Sequence, residues 1–317
     1  MKYEHMFYEK TFTLSPVLPF RLDHTVWALR RRQKNAIDSW DGTTYSRVFV
    51  VNNVVFQSQV TQINDVLKVK VKSSNSHKDT QLIITDKLKK MLGLDINVEE
   101  FYKLSKRDKH LQPLTQSFIG VKPPCFPSIF EALLNAVACQ QVTLDLGILL
   151  LNRLAENYGQ KFEDTEGIQY AFPRPEDLGA VSEEKIKKLG FSYQKAHAIK
   201  ELVQTILSNN AVFSHLENMT NEEIILFLSN LRGIGRWSSE YVLLRGLGRL
   251  NVFPGDDVGA QKNLQQLFGL EKRPSYEEIK QLVVKWQPYA GMVYFHLLLE
   301  KLHKKKIKIK KGGNPYE

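Results

Sequence analysis

Asp257 stands twenty residues after Trp237, and Trp237 follows closely on a Gly-Ile-Gly turn made of Gly233, Ile234 and Gly235. Such a turn at the head of a helix points backbone N–H groups at the solvent, where an anion such as a phosphate can bind. Glycine serves it twice, by opening backbone angles closed to other residues and by removing side chains that would keep the anion away. Arg236 adds a cation at the same place. A carboxylate held beyond the turn can take a proton from water or stabilise positive charge developing on a bound molecule. Trp237 and Tyr241 lie one helical turn apart, on one face, and electron-rich rings of this kind attract cations. Asp256 and Asp257 follow the turn-forming Pro254-Gly255 and precede VGAQKNLQQLF, which reads as a helix. The acidic pair therefore belongs at a helix N-terminus, where the dipole favours the ionised form and one aspartate can serve as the cap.

The elements around these residues are of two kinds. Residues 45–60, YSRVFVVNNVVFQSQV, are two β-rich runs about Asn52-Asn53, a hairpin signal, and VLKVKVK (66–72) alternates as a strand with one wet face. HTVWALRRRQKN (24–35) reads as a helix whose Arg30, Arg31 and Arg32 form a solvated face, and QLIITDKLKKMLGL (81–94) as a last strand running into a helix. From about Val98 the apolar spacing becomes helical and the breaks short. LQPLTQSFIGVKPPCFPS (111–128) is a Pro-rich connection, residues 128–159 a long apolar helix pair, and 275–302 two helices about Pro288. Thr220 and Glu223 have capping-box spacing before IILFLSNL. The expected architecture is an α+β N-terminal domain with an antiparallel sheet (1–95), an all-helical domain (96–303) and a basic, poorly ordered tail (304–317).

Composition sets the outer limits. The chain has 317 residues, 43% of them hydrophobic and 10% aromatic, which suits two folded domains. The net charge of +10 favours an anionic partner, yet residues 301–317 hold seven lysines against Glu317, so +6 of it sits in the tail. The two cysteines, Cys125 and Cys139, are too few for a zinc site or a four-cysteine iron–sulfur cluster and read as reduced thiols. His197 and His296 fall in helices and read as structural. No cofactor and no catalytic metal are expected. With no signal pattern at the start and no long apolar run, the expectation is a monomeric, unsecreted protein of the cytoplasm or nucleoid, or of the nucleus in a eukaryote, without membrane contact.

LRGIGRW followed by Asp257 resembles the helix–hairpin–helix DNA glycosylase superfamily, and within it the 3-methyladenine DNA glycosylase II family. FEALLNAVACQQVT (130–143), FPRPEDLGAVSEEKIKKLGFSYQKAHAIKELV (172–203) and WQPYAGMVYFHLL (286–298) extend the likeness over about residues 100–303. The resemblance implies an enzyme of base excision repair that flips a damaged nucleotide out of double-stranded DNA and hydrolyses its N-glycosidic bond. It implies catalysis by Asp257, leaving the cap to Asp256. It implies a base pocket with Trp237 and Tyr241, and phosphate contacts at Gly233, Ile234, Gly235 and Arg236. It implies a DNA-facing loop at Gln140 and Gln141, where Gln141 stands in the place of an apolar wedge. Relatives that also cut the strand place a lysine at the position of Trp237. Monofunctional hydrolysis of alkylated bases follows. A pocket tryptophan of some members aligns with Leu298. The resemblance further implies a monovalent cation on the backbone carbonyls of Leu231 and Ile234.

Two rivals stay open. One is a glycosylase for oxidised or deaminated bases such as 8-oxoguanine, hypoxanthine or uracil. The other is a lesion-binding protein without catalysis, against which the presence of Asp257 argues. The lysine tail reads as a DNA-binding aid rather than an RNA or membrane tether.

Overall fold

The structure, a computed structural model, describes residues 8–74, 79–209 and 211–310, with side chains of the last helix described to 304. The hairpin read at Asn52-Asn53 is present. Both asparagines take positive φ (50° and 61°), the left-handed angles that a two-residue turn needs. They join β3 (Thr44–Val51) to β4 (Val54–Ile63), and β5 (Val66–Ser73) pairs with β4 from the other side. β1 (Tyr8–Leu14) pairs with β5 and the short β2 (Ser39–Trp40) with β3, giving an antiparallel sheet in the order β1-β5-β4-β3-β2. β1 carries no strong strand pattern of its own. Its ladder to Leu67–Ser73 is a tertiary pairing.

α1 (Leu22–Arg30) and α2 (Thr80–Leu92) cover one face of the sheet. Val26, Leu29, Ile84 and Leu88 pack there with Tyr45, Phe56, Val60, Leu67 and Val69. Residues 80–92 are helical throughout, so no strand opens that segment. Ile84, Leu88 and Met91 recur at helical spacing and are buried, whereas Leu82 faces solvent. That periodicity outweighs the short apolar run Leu82-Ile83-Ile84.

The helical part runs through α3 (Glu99–Lys106), α4 (Leu111–Ser117), α5 (Ile129–Cys139) and α6 (Leu144–Tyr158). A short hairpin, β6 (Lys161–Asp164) and β7 (Gly167–Tyr170), then interrupts the helices, although the sequence shows no β signal there. It docks on the outer face of the sheet. Lys72 pairs with Asp164 and Glu166, Ser46 Oγ and Gln57 Nε2 donate to Gln169, and Phe162 packs on Val48. The face of β5 expected to be wet is thus partly covered. After α7 (Pro175–Leu178), α8 (Glu183–Lys188) and α9 (Tyr193–Ser208), α10 (Asn221–Ser229) and α11 (Arg236–Arg245) bracket the Gly-Ile-Gly turn. α12 (Val258–Phe268), α13 (Tyr276–Val283) and α14 (Ala290–Lys310) complete the chain. α14 continues past the boundary expected at 304, and the rest of the expected tail, 311–317, lies outside the described residues.

The two parts share their cores. Ala28 of α1 packs in one cluster with Phe101, Leu244, Trp286 and Phe295. Arg47 of β3 bonds Asp38 at 2.6 Å and Glu131 of α5 at 2.6 Å, and all three side chains are at most 5% exposed. The arginines at the end of α1 correct the expectation of a solvated face. Arg30 and Arg31 are buried, and Arg30 donates to the carbonyls of Gln33 and Asn35. Arg32 reaches Asp145 on α6 at 3.0 Å. Their place between the sheet and the helices gives each guanidinium a different acceptor.

Candidate active site

The hairpin forms for local reasons. Thr220 and Glu223 make the expected capping box at the start of α10. Gly233 turns the chain at φ +75°, an angle that favours glycine. Gly235 is different. Its backbone is extended (φ −111°, ψ −172°), and a Cβ there would meet nothing within 4 Å. The fold does not require glycine at 235. Gly235 is also the N-cap of α11 and offers no side-chain cap, so the first-turn N–H groups face outward for an external acceptor.

The other expected contacts divide. Ile234 buries its side chain in the core and leaves only backbone to the surface. Arg236 is 48% exposed, pairs with Asp256 at 2.7 Å and lies over the Tyr276 ring at 3.6 Å. Gln140 braces the turn, donating from Nε2 to Gly233 O and Ser238 Oγ, each at 2.7 Å. Gln141 is exposed at the tip between α5 and α6, with φ +52°, rare for a residue with a side chain. The two glutamines, equivalent in the sequence, have different surroundings.

Asp257 caps α12, with Oδ1 accepting from Ala260 N at 2.8 Å. Asp256 is therefore not the cap as expected; its carboxylate turns to Arg236 instead. Oδ2 of Asp257 accepts from Tyr294 Oη at 3.0 Å, so both oxygens are oriented. Burial and the neighbouring Asp257 hold the Tyr294 hydroxyl well above its usual range, keeping it a donor. Tyr294 was missed although it lies in the quoted segment 286–298. Nothing in the sequence shows that α14 turns this residue toward the start of α12.

Trp237 stacks on Tyr241 with centroids 5.4 Å apart, as their spacing predicts. Trp237 is half-buried and its Nε1 has no hydrogen-bond partner, while Tyr241 is only 2% exposed. Behind Tyr241 lies Arg31, also missed, whose Nη1 donates to Tyr241 Oη at 2.7 Å and Nη2 to Asn135 Oδ1 at 2.6 Å. No carboxylate lies within ion-pair distance of Arg31 among the described residues. The wall behind the aromatic pair is thus positively charged.

Carbonyl oxygens suit a monovalent cation. Leu231 O already accepts from Ile234 N at 3.1 Å and keeps one lone pair, and both residues sit on the turn. The donor type fits. Among the described residues no cluster of three or more His, Cys, Asp or Glu could hold a metal ion. No helix there is long and apolar enough to cross a membrane.

An uncapped hairpin helix, an oriented aspartate and an aromatic pair stand together on one helix–hairpin–helix scaffold. The family model for the HhH-GPD superfamily base excision DNA repair proteins matches residues 134–288. The matched segment, just under half of the chain, is similar to that superfamily. The chain is 28% identical over 170 residues to the putative DNA-3-methyladenine glycosylase YfjP of Bacillus subtilis (strain 168), covering 54% of this chain and 58% of that protein. It is 23% identical over 282 residues to the DNA-3-methyladenine glycosylase of the same organism, covering 88% of this chain and 93% of that protein. The solved 3-methyladenine DNA glycosylase of Archaeoglobus fulgidus shares the fold, with a TM-score of 0.81 at 23% identity over 92% of this chain and 98% of that one.

Proposed function

We propose that this protein is a monofunctional DNA glycosylase of base excision repair that releases alkylated bases from double-stranded DNA. The observation that carries the reading is Asp257, a carboxylate oriented through both oxygens and placed beyond an uncapped phosphate-binding turn. The hairpin N–H groups and Arg236 hold the backbone, Gln141 fills the space left in the duplex, and the base enters beside Trp237. The C1′–N bond breaks with its electron pair going to the base, and positive charge grows on the sugar next to Asp257. Water adds to C1′, its proton passes to the Asp257 carboxylate, and the cationic alkylated base, having taken the bond's electron pair, leaves neutral. An indole at 237 forms no Schiff base, so the product is an abasic site on an uncut strand. The carbonyls of Leu231 and Ile234 would hold a monovalent cation that stiffens the turn.

The relatives named for 3-methyladenine support the alkylated-base reading. One observation favours the second reading, excision of neutral oxidised or deaminated bases. The Arg31 guanidinium behind Tyr241, bonded to neutral partners and to no carboxylate among the described residues, repels a cationic purine and favours negative charge on a neutral leaving base. A panel of duplexes, each with one lesion, separates the two when wild type and Asp257→Asn are run side by side. Release of 3-methyladenine or 7-methylguanine by wild type alone supports the first; release of hypoxanthine or 8-oxoguanine alone replaces it. A covalent adduct trapped with borohydride would overturn monofunctional hydrolysis.

A further inference from the structure

The turn that carries Asp257 is held from behind by a buried acid that the reaction described above does not use. Glu240 lies on α11, the second helix of the hairpin, and is 5% exposed. Its Oε1 accepts from Tyr276 Oη at 2.6 Å and its Oε2 from Gly255 N at 3.2 Å. The same Gly255 peptide is gripped on its other side, where its carbonyl accepts from Gln261 Nε2 at 2.9 Å. Tyr276 packs so closely that a Cβ on Gly255 would lie 2.7 Å from its ring. Asp257 N closes the turn by donating to Pro254 O at 3.1 Å. Moving the Gly255 peptide therefore moves Asp257.

We propose that Glu240 is a positioning residue for Asp257: from the phosphate-binding helix it clamps the Gly255 peptide and so sets where the catalytic carboxylate stands. This rests on the glycosylase reading. The clamp ties DNA binding at the hairpin to the chemistry at Asp257, because the helix that meets the phosphate also holds the catalytic turn. Arg236, one turn before Glu240, adds a second tie through Asp256 and the face of Tyr276.

The charged and titratable groups facing Glu240 are Tyr276 from α13, Asp256 from the turn and Arg236 from α11 itself. Burial pushes the Glu240 carboxyl up to about 6, against the bonds from Tyr276 and Gly255. A proton on Oε2 displaces the Gly255 N–H, and a proton on Oε1 turns the Tyr276 hydroxyl from donor to acceptor; either way the charge-assisted hold on Gly255 weakens. The clamp is complete above that pH and loosens as pH falls through it.

The test is single-turnover base release by Glu240→Gln and Tyr276→Phe from pH 5 to 8 on whichever lesion wild type excises, together with affinity for abasic-site DNA. Amide exchange over residues 254–258 is measured on the same proteins. At pH 7.5 we expect Glu240→Gln to slow release about tenfold while DNA affinity stays within about twofold, since binding and positioning are separate terms. The wild-type inflection near 6 should disappear, and exchange in 254–258 should quicken. Tyr276→Phe, which keeps the ring beneath Arg236, should slow release less, quicken exchange in 254–258 and move the inflection upward, because Glu240 loses a donor to its charged form. Wild-type rates in both variants overturn the proposal, as does a slower Glu240→Gln that keeps the wild-type pH profile and exchange. Should Glu240→Gln not fold, Tyr276→Phe decides: a wild-type rate, or a slower rate with the wild-type inflection and exchange, overturns the proposal. If wild type releases no base from any lesion, the glycosylase reading fails, and unchanged exchange at 254–258 would then independently reject the clamp.

Discussion

Asp257 caps α12, the proposed chemistry asks a second role of the same carboxylate, and a pair of substitutions separates the two. Asparagine caps a helix about as well as aspartate, whereas alanine loses about 1 kcal/mol of cap. We expect Asp257→Asn to keep the thermal midpoint and abasic-site affinity of wild type while base release falls by at least about a hundredfold, since the charge that stabilises the oxocarbenium-like sugar is gone. Asp257→Ala should lose both activity and stability. Equal activity in wild type and Asp257→Asn would show that the cap is the residue's whole role. Gln141 carries a second residue-scale prediction. Its exposed, left-handed position at the loop tip suits a side chain that enters the duplex. Gln141→Ala should slow release from a paired lesion several-fold but barely affect a lesion opposite a mismatch, where extrusion costs less. Gln140, braced against Gly233 and Ser238, should instead affect the hairpin's own stability when truncated.

At the scale of the element, the two hairpin glycines differ in why they are glycine. Gly233→Ala places a side chain at φ +75° and 3.0 Å from Ala198, so it should destabilise by about 1 kcal/mol or more. Gly235→Ala meets open space on extended backbone and should fold normally, yet weaken DNA binding about tenfold by keeping a phosphate from the uncapped N–H groups. Thermal melts and binding at fixed salt distinguish these outcomes. A Gly235→Ala protein with unchanged affinity would remove the hairpin from the DNA interface. The motif was legible because a turn's chemistry is local. The role of Gln140 was not, since its partners lie about a hundred residues away in sequence.

The whole molecule is held together across the boundary expected at residue 95. Arg47, Asp38 and Glu131 form a buried cluster between the sheet and α5. Arg47→Met would leave two buried carboxylates without their cation and should cost about 3–5 kcal/mol, read as a fall in denaturant midpoint. His296 adds a pH term. It is fully buried against Phe101 and Phe118, and burial pushes it down to about 4. Between its unfolded value and that depressed one, only the unfolded chain takes the proton. Stability is therefore complete above about pH 6.5 and falls by about 3 kcal/mol as pH drops toward 4. His296→Phe should remove this part of the slope, and an unchanged pH dependence in that variant would reject the assignment.

From the sequence alone, the helix–hairpin–helix, its capping box, the Asn52-Asn53 hairpin and the Trp237–Tyr241 stack could be read. Each depends on residues within a few turns of one another, where backbone angles, caps and side-chain period settle the outcome. Asp257 was singled out through the family resemblance, as the acid that follows the turn at the matching position. Only the tertiary structure decided which aspartate caps α12, that Arg31 backs the aromatic pair, that Tyr294 orients Asp257 and that Glu240 meets Gly255. Arg31, Tyr294 and Gln140 acquire partners from distant parts of the chain, and burial gives a charged group a role that no local pattern encodes. That is why two of three consecutive arginines read as a wet surface, Arg30 and Arg31, proved to be buried, the second of them behind the proposed base pocket.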